Sequence, residues 1–290
     1  MSAKQKFKKW LYAKHPGSKA RIESFFANAP LLRRMLNVGF APTFRGWGMS
    51  TSTHTPWGNA TNLGDVEVAF NETYDRLTGL VRNDAFKLTM FKPEVRMEML
   101  GSLMWRHYIV FWSASFAAKN THTKHKSLVE CGVCDGLASY FALSAVLRNG
   151  GEWGAYLYDA WEAMRGDLLL DSEKSMQGQY SYLNVDVTRA NLSSFGNRVR
   201  FNKGYIPESF DVSENPQEIV WMHIDVNSAT PTVAALDYFW PRMASGGVVL
   251  LDDYSWPGYE DTRNYVLAWL NEKGGMLLPL PTGQAMIFKY

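Results

Sequence analysis

The chain has 290 residues, of which 46% are hydrophobic, 14% aromatic and 20% charged. That is enough apolar material for one large folded domain and excludes a disordered or collagen-like chain. The net charge of +2 conceals an asymmetry, because residues 1–45 hold ten Lys/Arg against Glu23 alone, leaving 20 basic against 27 acidic residues in the body; an acidic body argues against a nucleic-acid substrate.

In chain order, residues 1–14 place Ala3, Phe7, Trp10 and Leu11 on one face of a helix ringed by lysines. Such a helix suits weak contact with an anionic membrane, or serves as a solvated arm between subunits. A second helical pattern, Ile22 to Leu36, is broken by Pro30. Residues 41–61 have an aromatic loop composition with Trp47, His54, Thr55, Pro56 and Trp57, expected to form a lid over the site.

Helical spacing returns over Val66–Val81 and Glu94–Lys119. The longest apolar run, Tyr108 to Ala118, is too short to span a bilayer and reads as a buried helix. With no apolar leader core either, the expected compartment is the cytoplasm. Beyond it, short β-rich runs (128–130, 155–159, 199–204, 218–225, 247–253) alternate with helical stretches at Leu137–Arg148, Thr230–Met243 and Thr262–Lys273. This alternation predicts an α/β fold with a doubly wound, mostly parallel sheet. The last residues, MLLPLPTGQAMIFKY, read as a hairpin added to it, for seven strands in all. Residues 1–95 are expected to be a helical arm with the lid, and 96–290 the catalytic domain.

Ligands of such sheets bind beyond the carboxyl ends of the strands. The first strand runs through Glu130-Cys131-Gly132-Val133-Cys134-Asp135-Gly136 into a helix; Gly132 and Gly136 permit close backbone approach to a ligand. Asp159 ends the next strand, where an acid either binds ribose hydroxyls or caps a helix, and Trp161 is placed to stack on a planar base. Asp225, and Asp252 with Asp253, end later strands. Three carboxylates together repel one another unless a cation or protons are present, and Mg2+ suits all-oxygen ligation; the plainer reading has them capping helices or pairing with Arg242 or Arg263. His223 shares the strand face of Asp225, as a cleft residue or as a bonded core histidine, whereas His122 and His125 look like solvated loop. Cys131 and Cys134, the only cysteines, lack the second pair that zinc would need, and a redox site is a minor alternative.

The succession LVECGVCDG, YLYDAW, FNKGYIP, MHIDVN and ASGGVVLLDDYSWPG resembles class I S-adenosylmethionine-dependent O-methyltransferases, most closely the macrocin O-methyltransferase family, which acts on sugar hydroxyls. The likeness runs over roughly residues 125–290 and implies a Rossmann-like fold, with S-adenosylmethionine held by Glu130, Gly132 and Gly136 at its methionine end and by Asp159 at its ribose. It implies Asp225, Asp252 and Asp253 as Mg2+ ligands, Asp225 as the general base, and a homo-oligomer. Where that family reads Asp-Gly-Asp-x-Tyr-Glu, this chain has Asp225-Val226-Asn227-Ser228-Ala229-Thr230, and Ser228 stands where catechol O-methyltransferases carry a lysine. The expected reaction is therefore methylation of a sugar hydroxyl on a glycan or glycosylated metabolite. A nucleotide-dependent oxidoreductase and a non-catalytic scaffold on the same fold are the alternatives.

Overall fold

The computed structural model describes residues 62–211 and 214–290. The amphipathic helix expected at 1–14, the Ile22–Leu36 pattern and the aromatic lid at 41–61 lie outside the described residues.

Five strands, β1 (His125–Cys131), β2 (Glu152–Asp159), β3 (Val199–Lys203), β4 (Ile219–Ile224) and β5 (Met243–Leu251), run parallel. The sheet order is β3-β2-β1-β4-β5-β7-β6, with β6 (Leu277–Pro279) and β7 (Ala285–Phe288) forming the antiparallel edge. Every residue of β4 is buried, as expected of a strand covered on both faces.

Helices α1 (Asp65–Arg82), α2 (Arg96–Ser102), α3 (Met104–Asn120) and α4 (Leu137–Arg148) lie on one side. There Phe70 of α1 meets Phe111 of α3 and Phe141 of α4 at ring separations of 5.7 and 5.4 Å. The short α5 (Val185–Asn191) precedes β3, while α6 (Ala229–Phe239) and α7 (Glu260–Lys273) cover the other face around Phe239, Met222, Val249 and Trp269. The predicted α/β class, the Leu137–Arg148 helix and the terminal hairpin are all present. None of the helices among the described residues is long and apolar enough to cross a membrane.

Three boundaries differ from expectation. The helix predicted over Glu94–Lys119 breaks at Leu103, whose φ of −97° and ψ of 3° leave the helical region. Gly101 weakens that turn, and the Ser102 hydroxyl bonds the Met99 carbonyl at 2.8 Å, competing with the longer 3.2 Å bond it accepts from Leu103 N–H. The helix predicted to reach Met243 stops at Phe239, because Pro241 has no N–H to continue it, and Met243 already belongs to β5. His125, expected in a solvated loop, is the exposed first residue of β1.

Candidate functional site

The sheet order reverses between β1 and β4, where adjoining connections leave in opposite directions and open a crevice. Gly132, at φ +83°, ends β1, and its N–H bonds the Tyr158 carbonyl at 2.8 Å. A Cβ there would lie 1.9 Å from the carbonyl oxygen of Asp225. Gly132 is therefore required where the turn passes the end of β4. Gly136, at φ +84°, begins α4, and a Cβ on it would press on Leu192.

Asp159 staples this turn from the side. Its Oδ2 accepts from the N–H groups of Val133 and Cys134 at 2.7 and 2.9 Å, and Oδ1 accepts from Trp161 N–H at 2.6 Å. A carboxylate accepts about four hydrogen bonds, so one position remains for a ribose hydroxyl. Burial raises its pKa, against the pull of those three N–H groups. The Trp161 indole N–H is spent internally, on the Cys134 carbonyl at 3.0 Å and the Thr188 hydroxyl at 2.9 Å. Burial also pushes both thiols, Cys131 and Cys134, well up, opposite to what a redox pair requires.

Glu130 points into the layer beneath the sheet and is 1% exposed. Oε2 accepts from the Ser139 hydroxyl, and Oε1 faces His223 Nδ1 at 3.0 Å. His223 Nε2 in turn lies 3.5 Å from Asp252 Oδ1, which also accepts from Gln284 at 2.7 Å. The other oxygen of Asp252 forms an ion pair with Arg106, whose guanidinium lies 4.9 Å over the Trp256 ring. Arg242 and Arg263, the partners offered by sequence, stack instead on Tyr238 and Tyr254.

Asp225 and Asp253 complete the cluster. Burial, and then the negative charge of Asp225, raise the pKa of Asp253 well above the carboxylate range, opposed by Arg106. Asp253 Oδ2 is buried without a hydrogen-bond partner among the described residues. An orphaned carboxylate oxygen beside a second acid fits a divalent cation, so the residues present suit the ion that the sequence implied. Asn227, at φ +56°, directs its amide at Asp225 Oδ1 from 3.5 Å while its own carbonyl accepts from Tyr259 at 2.5 Å.

Sequence reading missed the residues that surround this cluster. Arg106 and Gln284 come from α3 and from the turn before β7, and no spacing links them to the aspartates. Tyr180 arrives on the long connection after β2; burial, then the charges of Asp225 and Asp253, among other neighbours, raise its pKa, which places its hydroxyl within electrostatic reach of them. That connection is fastened by Glu173, which accepts from the Ser228 hydroxyl and the Ala229 N–H, both at 2.8 Å, at the start of α6.

Comparison with known proteins agrees with this geometry. Residues 129–254 match the family described as a methyltransferase domain. Over 139 residues the chain is 30% identical to the 8-demethyl-8-(2,3-dimethoxy-alpha-L-rhamnosyl)-tetracenomycin-C 4'-O-methyltransferase of Streptomyces olivaceus, covering 44% of this chain and 52% of that protein. The chain thus spans about half the length of that curated relative. Among solved structures, the O-methyltransferase NovP superposes with a TM-score of 0.62 at 16% identity, covering 78% of this chain and 99% of that one. The calicheamicin methyltransferase CalS11 gives 0.51 at 19%, covering 80% and 99%. At these identities the two structures speak for the fold. The family match covers the turn after β1 and all three aspartates, so residues 129–254 are similar to a methyltransferase domain and their sheet is of the Rossmann-like kind.

Proposed function

We propose that this chain is an O-methyltransferase that uses S-adenosylmethionine and Mg2+ to methylate a sugar hydroxyl of a glycan or glycosylated metabolite. The observation that carries the reading is the place of Asp225 beside the glycine turn of β1, near both Asp252 and Asp253, with Asp253 Oδ2 buried and unpartnered among the described residues. The tetracenomycin-pathway relative, named as acting on a rhamnosyl group, supports a sugar acceptor.

When bound, the sulfonium supplies the methyl group and Mg2+ lowers the pKa of an aliphatic hydroxyl. The chain's residues do the rest. The turn at Gly132 and Gly136 holds the methionine end, while Glu130, which the sequence offered for that role, lies behind it and is taken up by Ser139 and His223; Asp159 offers its remaining lone pair to the ribose, and Trp161 borders the base. Asp225 accepts the acceptor's proton, and the Asn227 amide keeps that carboxylate aimed into the crevice. The connection bearing Tyr180 borders the acceptor side and restricts water. Two free thiols suit a cytoplasmic location.

The test is calorimetric titration with S-adenosylhomocysteine and with NAD, followed by methyl transfer to aryl rhamnosides with and without Mg2+. Asp252→Asn should abolish metal-dependent transfer and leave S-adenosylhomocysteine binding near wild type. Unchanged turnover would refute the metal assignment, and tight NAD binding in place of S-adenosylhomocysteine would favour an oxidoreductase.

A further inference from the structure

His223 holds an arrangement that the three-aspartate reading does not use. Its Nδ1 faces a carboxylate, Glu130 Oε1, at 3.0 Å, while the other oxygen of that carboxylate is satisfied by Ser139. A carboxylate facing Nδ1 fixes the ring in the orientation in which a histidine presents Nε2 to a metal ion. That nitrogen is buried, has no hydrogen-bond partner among the described residues, and faces Asp252 Oδ1 at 3.5 Å. That nitrogen and the Asp252 carboxylate oxygen thus converge on one point in a dry layer, an arrangement that suits a shared cation.

We infer that the cation site of this chain is a mixed nitrogen–oxygen site, with His223 Nε2 as a ligand beside Asp225 and Asp252, and that it prefers a first-row transition ion to Mg2+. The inference rests on the cation reading above and changes its donor set.

Geometry and charge both support it. One ligand atom from each of His223, Asp225 and Asp252 can be chosen so that all lie within 4.8 Å of one another. Two bonds of about 2.0–2.2 Å from a common centre span the 3.5 Å between His223 Nε2 and Asp252 Oδ1. The ring plane is fixed before any ion arrives, since His223 stacks on Trp221 at 5.7 Å and the Trp221 N–H bonds Ser113 at 2.9 Å. Glu130 behind Nδ1 supplies the carboxylate that orients a ligating histidine and raises its basicity. Two of the three ligands, Asp225 and Asp252, are carboxylates, the donor type that pairs with a divalent ion. Mg2+ takes oxygen ligands and dehydrates reluctantly, whereas imidazole favours later first-row ions.

The experiment uses the full chain, stripped of metal and titrated with MgCl2, MnCl2 or CoCl2 alone. Mn2+ or Co2+ should bind at least about tenfold more tightly than Mg2+, and pulsed electron paramagnetic resonance of the Mn2+ form should show the nitrogen coupling of a coordinated imidazole. His223→Gln should remove that coupling and bring the ions within about threefold of one another, with S-adenosylhomocysteine binding retained. The wild-type spectrum decides the matter even if the variant folds poorly. Bound Mn2+ without nitrogen coupling would overturn the mixed site and leave an all-oxygen cation site standing. Absence of binding by any of the three ions, with S-adenosylhomocysteine still bound, would overturn both.

Discussion

The missing side chain of Gly132 makes room for the backbone of Asp225: a Cβ on the glycine would stand 1.9 Å from that carbonyl oxygen. The residue that shapes the turn after β1 thus also seats the residue that opens the aspartate cluster. Gly132→Ala has to displace one of them, and the left-handed φ of +83° adds strain. The expected loss is about 2–5 kcal/mol of stability, together with weaker S-adenosylhomocysteine binding. Thermal unfolding and calorimetry check both, and wild-type values in the two measurements would remove the contact's importance.

His107 provides a pH signature. It is buried, stacked on Phe141 at 4.8 Å, and burial with the nearby Arg106 and His223 pushes its pKa from 6.5 down to about 3. The folded value is depressed, so the native state keeps the ring neutral where the unfolded chain protonates it. Stability from this group is full above pH 6.5 and is lost as pH falls towards about 3, at about 1 kcal/mol per pH unit. His107→Phe should flatten the melting temperature between pH 6.5 and 4.5, a window set by that shift. An unchanged slope would assign acid sensitivity elsewhere.

Glu173→Ala leaves the Ser228 hydroxyl and the Ala229 N–H without their acceptor. The expected cost is about 2–4 kcal/mol, with a raised KM for the acceptor and a smaller change for S-adenosylmethionine. Steady-state kinetics against both substrates separates the two effects; equal changes would show that the connection does not favour the acceptor side.

Tyr180→Phe keeps the ring and removes the hydroxyl near Asp225 and Asp253. Turnover should drop about tenfold while S-adenosylhomocysteine affinity and melting temperature stay near wild type. Full activity would place that hydroxyl outside the reaction.

Asn227→Asp sets a further carboxylate 3.5 Å from Asp225 Oδ1. Like charges in a partly buried site repel until a cation arrives, so the metal-free variant should melt lower and regain more on adding Mn2+ than wild type does. Scanning calorimetry with and without the ion measures this, and an equal response would separate Asn227 from the cation cluster.

The alternation of β-rich and helical runs was legible because buried parallel strands and their covering helices have different periods, and the boundary of α4 was readable to the residue. The break at Leu103 was not, since it depends on a hydroxyl choosing a local carbonyl. Of the site, the strand ends bearing Gly132, Asp159 and the three aspartates stood out by position. Arg106, Gln284, Glu173 and Tyr180 did not, because each reaches the crevice from an element whose register against the sheet is decided by packing. Asp159 shows how a position alone can hide a second duty: the acid expected for ribose spends most of its capacity on the turn itself.

The way Glu173 fastens the connection after β2 has a practical side. Its buried carboxylate docks that connection onto the start of α6, beside the bonds of Ser172 to Asp261 and of the Tyr205 hydroxyl to the Ala163 carbonyl. Residues 162–184, beyond the Trp161 that belongs to the turn after β1, can therefore be treated as an exchangeable cassette with the glutamate as a latch, and, with Tyr180 kept, transplanted from a relative to alter what that side of the crevice accepts.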